Sequence, residues 1–349
     1  MLILALDLGL SKSAVCVMDS ETNAVKHGTC RTRACELTKL FERETPELIV
    51  VEISPLAAMV HDLAVRLGIQ ILVADTTQDA WRWRNVKRKT DRDDALKLAK
   101  LAAVGQINPV YIPAAPMRQW RQLVEYRASL VGERTRSKNR IRQLVLVHTG
   151  EHLPGGKLAW TLKQRQRLAE LAQPLEDCGA NELWRGQLAL ELMHLQQMEN
   201  LVHQVEARLD RLGRADSRVQ LLQTLPGVGP RVAEAIVTSL DQAGRFGNRR
   251  QVAAYAGLTP RRYQSGKMDR TGRISKRGRP LLRKLLTQAA WQAVARDKQF
   301  TELFERVTHG CRERRKIAIV AVMRHLLVVA WAMLRDERRY RPSVLARAA

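Results

Sequence analysis

Apolar and polar positions follow one another in two rhythms along this chain, and the change between them divides it. Residues 2–75 carry short apolar runs. LILALDLG and SAVCVMD have the length and the small or β-branched content of strands. ETNAV supplies a turn, and AVKHGTCRT reads as a third strand. CELTKLFERE has helical spacing, and PELIVVEIS is a continuous apolar run suited to a central strand. PLAAMVHDLAVRLG then reads as a helix ending at Gly68, and IQILVADT as another buried strand. The predicted order is three strands, helix, strand, helix, strand, which makes an α/β layer with a mixed sheet.

From about Ala115 the helical rhythm takes over. RQWRQLVEYRASLVGERTRSKNRIRQLVLV has few breakers and many arginines, and predicts one long helix. A second is predicted over roughly 184–212, where Leu188, Leu192, Leu195, Val202, Val205, Leu209 and Leu212 step by threes and fours in heptad fashion. The pair fits a helical hairpin or coiled-coil arm, or an ordinary bundle. In either form it offers a surface for pairing with another protomer. LLQTLPGVGPRVAEAIV (221–237) reads as helix, Gly-rich turn, helix, the helix-hairpin-helix pattern. Backbone N–H groups at such a turn can hold a phosphate, so Gly227 and Gly229 either contact nucleic acid or simply turn the chain. KIAIVAVMRHLLVVAWAML (316–334) is broken by Arg324 and His325, and reads as a core helix, not a membrane span. Three domains are expected, at 1–114, 115–215 and 216–349, the last of them mainly α.

Charge changes the picture. Among 349 residues, 59 Lys and Arg face 35 Asp and Glu, a formal charge of +24. An excess of that size calls for a polyanionic partner, and nucleic acid is the common one. It is concentrated in 245–284, where thirteen cations accompany the single acid Asp269. A solvated surface mixes its signs, so this segment reads as a phosphate-backbone surface built from Arg261, Arg262, Lys267, Arg270, Arg273, Lys276 and Arg277. It is also rich in Gly and short polar residues, which predicts loops that let backbone approach a ligand. The five cysteines are scattered with no CxxC pair, so neither a zinc ribbon nor a disulfide framework is indicated, and a reducing, cytosolic location is expected. The N-terminus lacks a basic leader and places Asp7 where a signal peptide would be apolar.

The candidate chemistry lies in acids. In KRKTDRDDALKLAK (87–100) Thr90 is a helix N-cap, and Asp93 three residues on closes a capping-box-like arrangement. Asp91 and Asp94 share a helix face, where two carboxylates repel unless a cation lies between them. A metal site and a solvated helix start are the two readings. Asp7 ends the first apolar strand and Glu52 ends LIVVE. Four carboxylates converging from two strands and one helix could hold two Mg²⁺ ions, or Mn²⁺ in their place. Trp81 and Trp83 in WRWRN either stack on bases or pack in a core.

Asp7, Glu52, and Asp91 with Asp94 in TDRDDA resemble the DEDD tetrad of a RuvC-like, RNase H-type domain. LPGVGPRVA, followed by RFGNRRQVAAYAGLTPR, QSGK, GRISKRG and LLRKLL, resembles the C-terminal domain of the DEDD insertion-sequence transposases, also described as RNA-guided or bridge recombinases. The resemblance spans nearly the whole chain; Gln264 before Ser265 is a mild departure. It implies that Ser265, in the SG motif, is the nucleophile, with Ser275 in RISKRG as the rival. It implies metal held by the tetrad and brought from another protomer, with Lys267, Arg270, Arg273 and Lys276 neutralising the phosphate. It further implies a phosphoserine link to DNA, donor and target DNA as substrates, an element-encoded bridge RNA, a dimer-to-tetramer assembly, and work at the bacterial nucleoid. A Holliday-junction-type nuclease, in which water attacks and the serine is structural, is the alternative. A non-catalytic nucleic-acid-binding protein is the third reading.

Overall fold

Strands form where the apolar runs lie. The computed structural model describes residues 1–75, 90–265 and 268–342, in two compact units, Met1–Ala115 and Pro116–Ala349. In the first, β1 (Leu2–Asp7), β2 (Lys12–Asp19), β3 (Val25–Arg31), β4 (Leu48–Glu52) and β5 (Gln70–Ala74) form one sheet in the order β3-β2-β1-β4-β5. β1 pairs antiparallel with β2, and β2 with β3; β1 and β4 run parallel, as do β4 and β5. The sheet is mixed, as the order of runs predicts.

Both faces of the sheet are covered, which is why its central strands are apolar throughout. α1 (Ala34–Glu44) and α2 (Ala57–Arg66) cover one face, where Leu37, Phe41, Val60 and Leu63 meet Leu4, Leu6, Ile49 and Val51. α3 (Asp91–Ala103) covers the other, where Ala95, Leu98, Ala99 and Ala102 meet Ile3, Ala5, Leu48 and Val50. Trp81 and Trp83 lie outside the described residues, as does Lys267.

The second unit starts with α4 (Ala115–Thr149), continues through α5 (Leu162–Leu171), and returns along α6 (Leu183–Ala215). The heptad reading is resolved here. Leu188, Leu195, Val202 and Leu209, seven apart, are all buried. Leu188 and Leu195 share a core with Ile141 and Val145; Val202 shares one with Leu130; Leu209 shares one with Trp120 and Val124. Positions rise on one helix as they fall on the other, so α4 and α6 form an antiparallel hairpin whose seam is filled within the chain. Arg127 pairs with Glu206, Lys138 with Glu199 and Arg140 with Glu191 along it.

Beyond the hairpin come α7 (Ser217–Leu222), α8 (Pro230–Leu240), α9 (Arg249–Tyr255), β6 (Pro260–Ser265), β7 (Met268–Ile274), α10 (Pro280–Arg296), α11 (Lys298–Thr308) and α12 (Arg315–Asp336). α12 lies in a helix long and apolar enough to cross a membrane, yet Val322, Leu326, Leu327 and Ala330 are fully buried in the core of this unit. Its Trp331 donates Nε1–H to the Ala243 carbonyl at 2.9 Å. The expected loops at 260–274 are instead a two-stranded antiparallel ribbon, β6 with β7.

Candidate functional site

Parity places two of the four acids. Ile3 and Ala5 point to the face that α3 covers, and so does position 7, two residues on. Leu48 and Val50 do the same on β4, and position 52 follows them. The parallel register pairs Leu6 with Val51, so Asp7 and Glu52 leave neighbouring strands at the same end. On α3, Asp91 lies four residues before Ala95 and Asp94 four before Leu98, so both acids fall on the helix side that turns to the sheet. Asp94 is buried, at 8% exposure, while Asp91 is exposed.

The helix start is built as its sequence reads. Thr90 has extended backbone, and its Oγ1 accepts from the Asp93 amide at 3.3 Å and donates to Asp93 Oδ2 at 2.6 Å. Asp93 is therefore a capping residue. The four carboxylates are hard oxygen donors of the kind that Mg²⁺ takes. Their geometry is open: among the described residues no three of His, Cys, Asp or Glu lie close enough to hold one ion. The donor chemistry fits a divalent cation, and the fold supplies the acids on one face without closing a cage.

In the second unit, Ser265 closes β6, paired in register with Met268 where β7 begins. It therefore lies at the ribbon's turn. Ser275 lies at the other end. Its amide donates to the Thr259 carbonyl at 2.8 Å, and its carbonyl accepts from Arg261 at 3.5 Å. The two serines that sequence leaves as rivals are thus at opposite ends of one hairpin. Arg261, Arg270, Arg273, Lys276 and Arg277 are exposed along it. Arg262 is engaged, pairing with Asp269 at 2.6 Å.

The glycines around this hairpin serve the protein's own backbone. Gly257 has φ +69°, and a Cβ there would lie 1.9 Å from the Arg277 carbonyl oxygen. A Cβ on Gly278, across from it, would lie 2.1 Å from the Tyr255 carbonyl oxygen. The Lys276 amide donates to the Gly257 carbonyl at 3.1 Å. This close approach anchors the ribbon's base on α9, where the sequence reading expects approach to a ligand. The helix-hairpin-helix is present as α7, a turn, and α8 with Gly229 as N-cap and Pro230 in its first turn. Gly227, at φ +80°, packs on α10: a Cβ there would be 2.3 Å from the Ala289 carbonyl oxygen. Gly229 is exposed, with nothing near its Cβ position.

Two residues of interest carry no sequence signal of their own. Tyr263 is one aromatic among many cations, and only the ribbon shows it exposed beside Ser265. Glu234 sits in the apolar run VAEAIV, where one acid reads as the polar side of a helix; it is fully buried.

Comparison with known proteins agrees with both halves. A family profile described as "Transposase", of the DEDD type, matches residues 4–149, and one described as "Transposase IS116/IS110/IS902 family" matches residues 219–305. A "Probable family 20 transposase" of Pseudomonas aeruginosa is 31% identical over 262 residues, 73% of this chain and 74% of that protein. The "Transposase for insertion sequence element IS1111A" of Coxiella burnetii is 28% identical over 255 residues, 72% of this chain and 68% of that protein. A "Pilin gene-inverting protein" of Moraxella bovis is 24% identical over 259 residues, 73% and 69% of the two chains. With acids at adjoining strand ends in a mixed sheet, and a cation-lined serine hairpin beyond a helix-hairpin-helix, this chain belongs to the IS110/IS116 family of insertion-sequence transposases.

Proposed function

We propose that the protein cuts and rejoins donor and target DNA through a phosphoserine intermediate on Ser265. The observation that carries this is the position of Ser265 at the end of β6, in a ribbon whose described cations Arg261, Arg270 and Arg273 are exposed. Ser275 sits at the anchored base, its amide already held by Thr259. The Ser265 hydroxyl oxygen attacks the scissile phosphorus, and the P–O bond to the departing strand breaks. The hydroxyl proton leaves with the solvent, and the departing oxygen takes one up. A hydroxyl of the new strand then attacks the phosphoserine and returns the serine. One phosphoester bond forms for each that breaks, so resealing needs no ATP.

No histidine lies within 245–284, so a neighbouring imidazole base is not available from the ribbon's own sequence. Arg270, Arg273 and Lys276, with Lys267, neutralise the phosphate. A divalent cation, Mg²⁺ or Mn²⁺, held by Asp7, Glu52, Asp91 and Asp94 of an RNase H-like, RuvC-like domain, would polarise the phosphate oxygens when bound. The backbone N–H groups at the N-terminus of α8, beginning at its N-cap Gly229, would donate to a backbone phosphate. A bridge RNA transcribed from the flanking DNA selects the two sites, a role with which a chain of charge +24 is compatible. Protomers pair through the outer side of α6, where Leu183, Leu190 and Met193 are exposed. The same chemistry applied to two sites in one DNA molecule would invert the segment between them, and gene inversion is what the name of the Moraxella relative states.

The test is trapping of protein–DNA adducts during strand transfer by the full chain, with and without RNA from its flanking DNA. Adducts form with the wild type and with Ser275→Ala, and vanish with Ser265→Ala. Free cleaved ends from Ser265→Ala would replace this reading with the junction nuclease, in which water attacks.

A further inference from the structure

We infer that Tyr263 is a positioning residue that stacks on a nucleobase beside the phosphate attacked at Ser265. The inference rests on the assignment of Ser265 given above, and deepens it.

The two faces of the ribbon differ in chemistry. One carries Arg262 opposite Thr271 and Gln264 opposite Asp269. There the ribbon's one acid is spent: Asp269 Oδ1 and Oδ2 accept from Arg262 at 3.0 and 2.6 Å. The Arg262 guanidinium holds the Asp269 carboxyl below the usual range. That face is satisfied from within. The other carries Tyr263 opposite Arg270, and position 265 opposite Met268. Here no side-chain hydrogen bond or ion pair joins the two strands among the described residues. Tyr263 is 54% exposed and Met268 48% exposed, and Arg270 has no ion-pair partner among the described residues.

Large apolar side chains on an exposed ribbon are unusual, because a two-stranded hairpin has no core of its own in which to bury them. Tyr263 is nevertheless held. A Cβ on Gly272 would lie 3.4 Å from the ring's Cε2 and 3.5 Å from the Arg261 carbonyl oxygen. Without that Cβ the ring can lie along the ribbon, one face against Gly272 and the other turned outward. A flat ring with a cation beside it, on a polycationic ribbon, matches a base with its phosphate. It does not match an apolar protein surface, which would ask for more than two apolar side chains among cations. Two residues along a strand span roughly 6.8 Å. That is the reach from a phosphate to the base of its own or the next nucleotide, so a base on Tyr263 places its phosphate at position 265.

The experiment uses the full chain and DNA carrying 2-aminopurine, in turn, at the positions flanking the mapped cleavage point. In a Ser265→Ala background, where no bond is cut, stacking quenches the probe. The quench persists when Tyr263→Phe is added, because the ring remains. It is lost with Tyr263→Val, which keeps a strand-forming residue and removes the ring. With Ser265 intact, Tyr263→Val slows adduct formation about 5- to 150-fold, the range expected for one base–aromatic stack. Tyr263→Phe restores the wild-type rate, and affinity for duplex DNA, which rests on phosphate contacts, moves by less than about 3-fold. An unchanged quench in Tyr263→Val, or equal loss in Tyr263→Phe and Tyr263→Val, overturns the inference. Adducts that persist in Ser265→Ala would instead overturn the nucleophile assignment, and the quench, read without chemistry, would still report on Tyr263.

Discussion

Replacing Glu234 by Gln should make the protein more stable above neutral pH, although it removes one half of an ion pair. Glu234 lies within α8, fully buried, and accepts from Arg231 Nη1 at 2.9 and 2.7 Å. Arg231 also pairs with Asp210 on α6, so this cluster ties the arm to the helix-hairpin-helix. Burial pushes the Glu234 carboxyl from 4.5 up to about 7, against the pull of Arg231. At about 1.36 kcal/mol per pH unit, that difference is worth roughly 3 kcal/mol. The sign follows from proton counting. The folded state keeps the proton to higher pH than the unfolded state does, so this group's contribution is most favourable below about 4.5. It falls as pH rises to about 7 and is flat beyond. Gln is neutral throughout and still accepts one hydrogen bond. Urea unfolding followed by tryptophan fluorescence, at steps from pH 5 to pH 8, compares the two proteins. The gap in favour of Glu234→Gln should open across this range to on the order of 2–3 kcal/mol. A gap that stays constant with pH, or a variant less stable at pH 8, would show that Glu234 is ionised in the fold and that Arg231 outweighs burial.

Other expectations are as specific. Asp94→Asn should retain thermal stability within about 1 kcal/mol and DNA affinity, and lose strand transfer by at least ~10²-fold, read by product formation at saturating Mg²⁺. Chelation of divalent ions should reproduce that loss in the wild type, and added Mg²⁺ or Mn²⁺ should reverse it. Mixing Ser265→Ala with Asp7→Asn protein should restore strand transfer if one copy's acids serve another copy's serine; no recovery at any ratio would exclude that sharing. Leu195→Ala, in the filled seam of the α4–α6 hairpin, should cost about 2–5 kcal/mol in urea unfolding. Gly257→Ala should cost at least ~2 kcal/mol, because its φ of +69° and its contact with Arg277 both exclude a Cβ, and adduct yield should fall with the loosened ribbon base.

The first unit was legible because its apolar runs are continuous. A strand buried on both faces by helices must be apolar at every position, and LILAL and LIVV can be little else. The end of such a run, where Asp7 and Glu52 stand, is where a polar side chain first becomes affordable. Thr90 and Asp93 were legible for the same local reason, since a cap is made between residues three apart. The ribbon was not. PRRYQS and MDRTGRI lack alternating apolar positions because neither face is buried in the chain, so the usual strand signal is missing.

What the sequence determined by itself is therefore what local periodicity and composition encode: the order of elements, the mixed sheet, the heptad seam, the helix-hairpin-helix and a polyanionic partner. Tertiary structure alone decided what depends on partners far apart in the chain. It matched the α6 seam with α4, and turned Gly227 and Gly257 into packing points against α10 and residue 277. It buried Glu234 so that its proton is held to about pH 7. It set Ser265 and Ser275 at opposite ends of one hairpin. The physical reason is the same in each case: burial and close approach are properties of pairs of segments, and a single segment carries no record of which other segment will cover it.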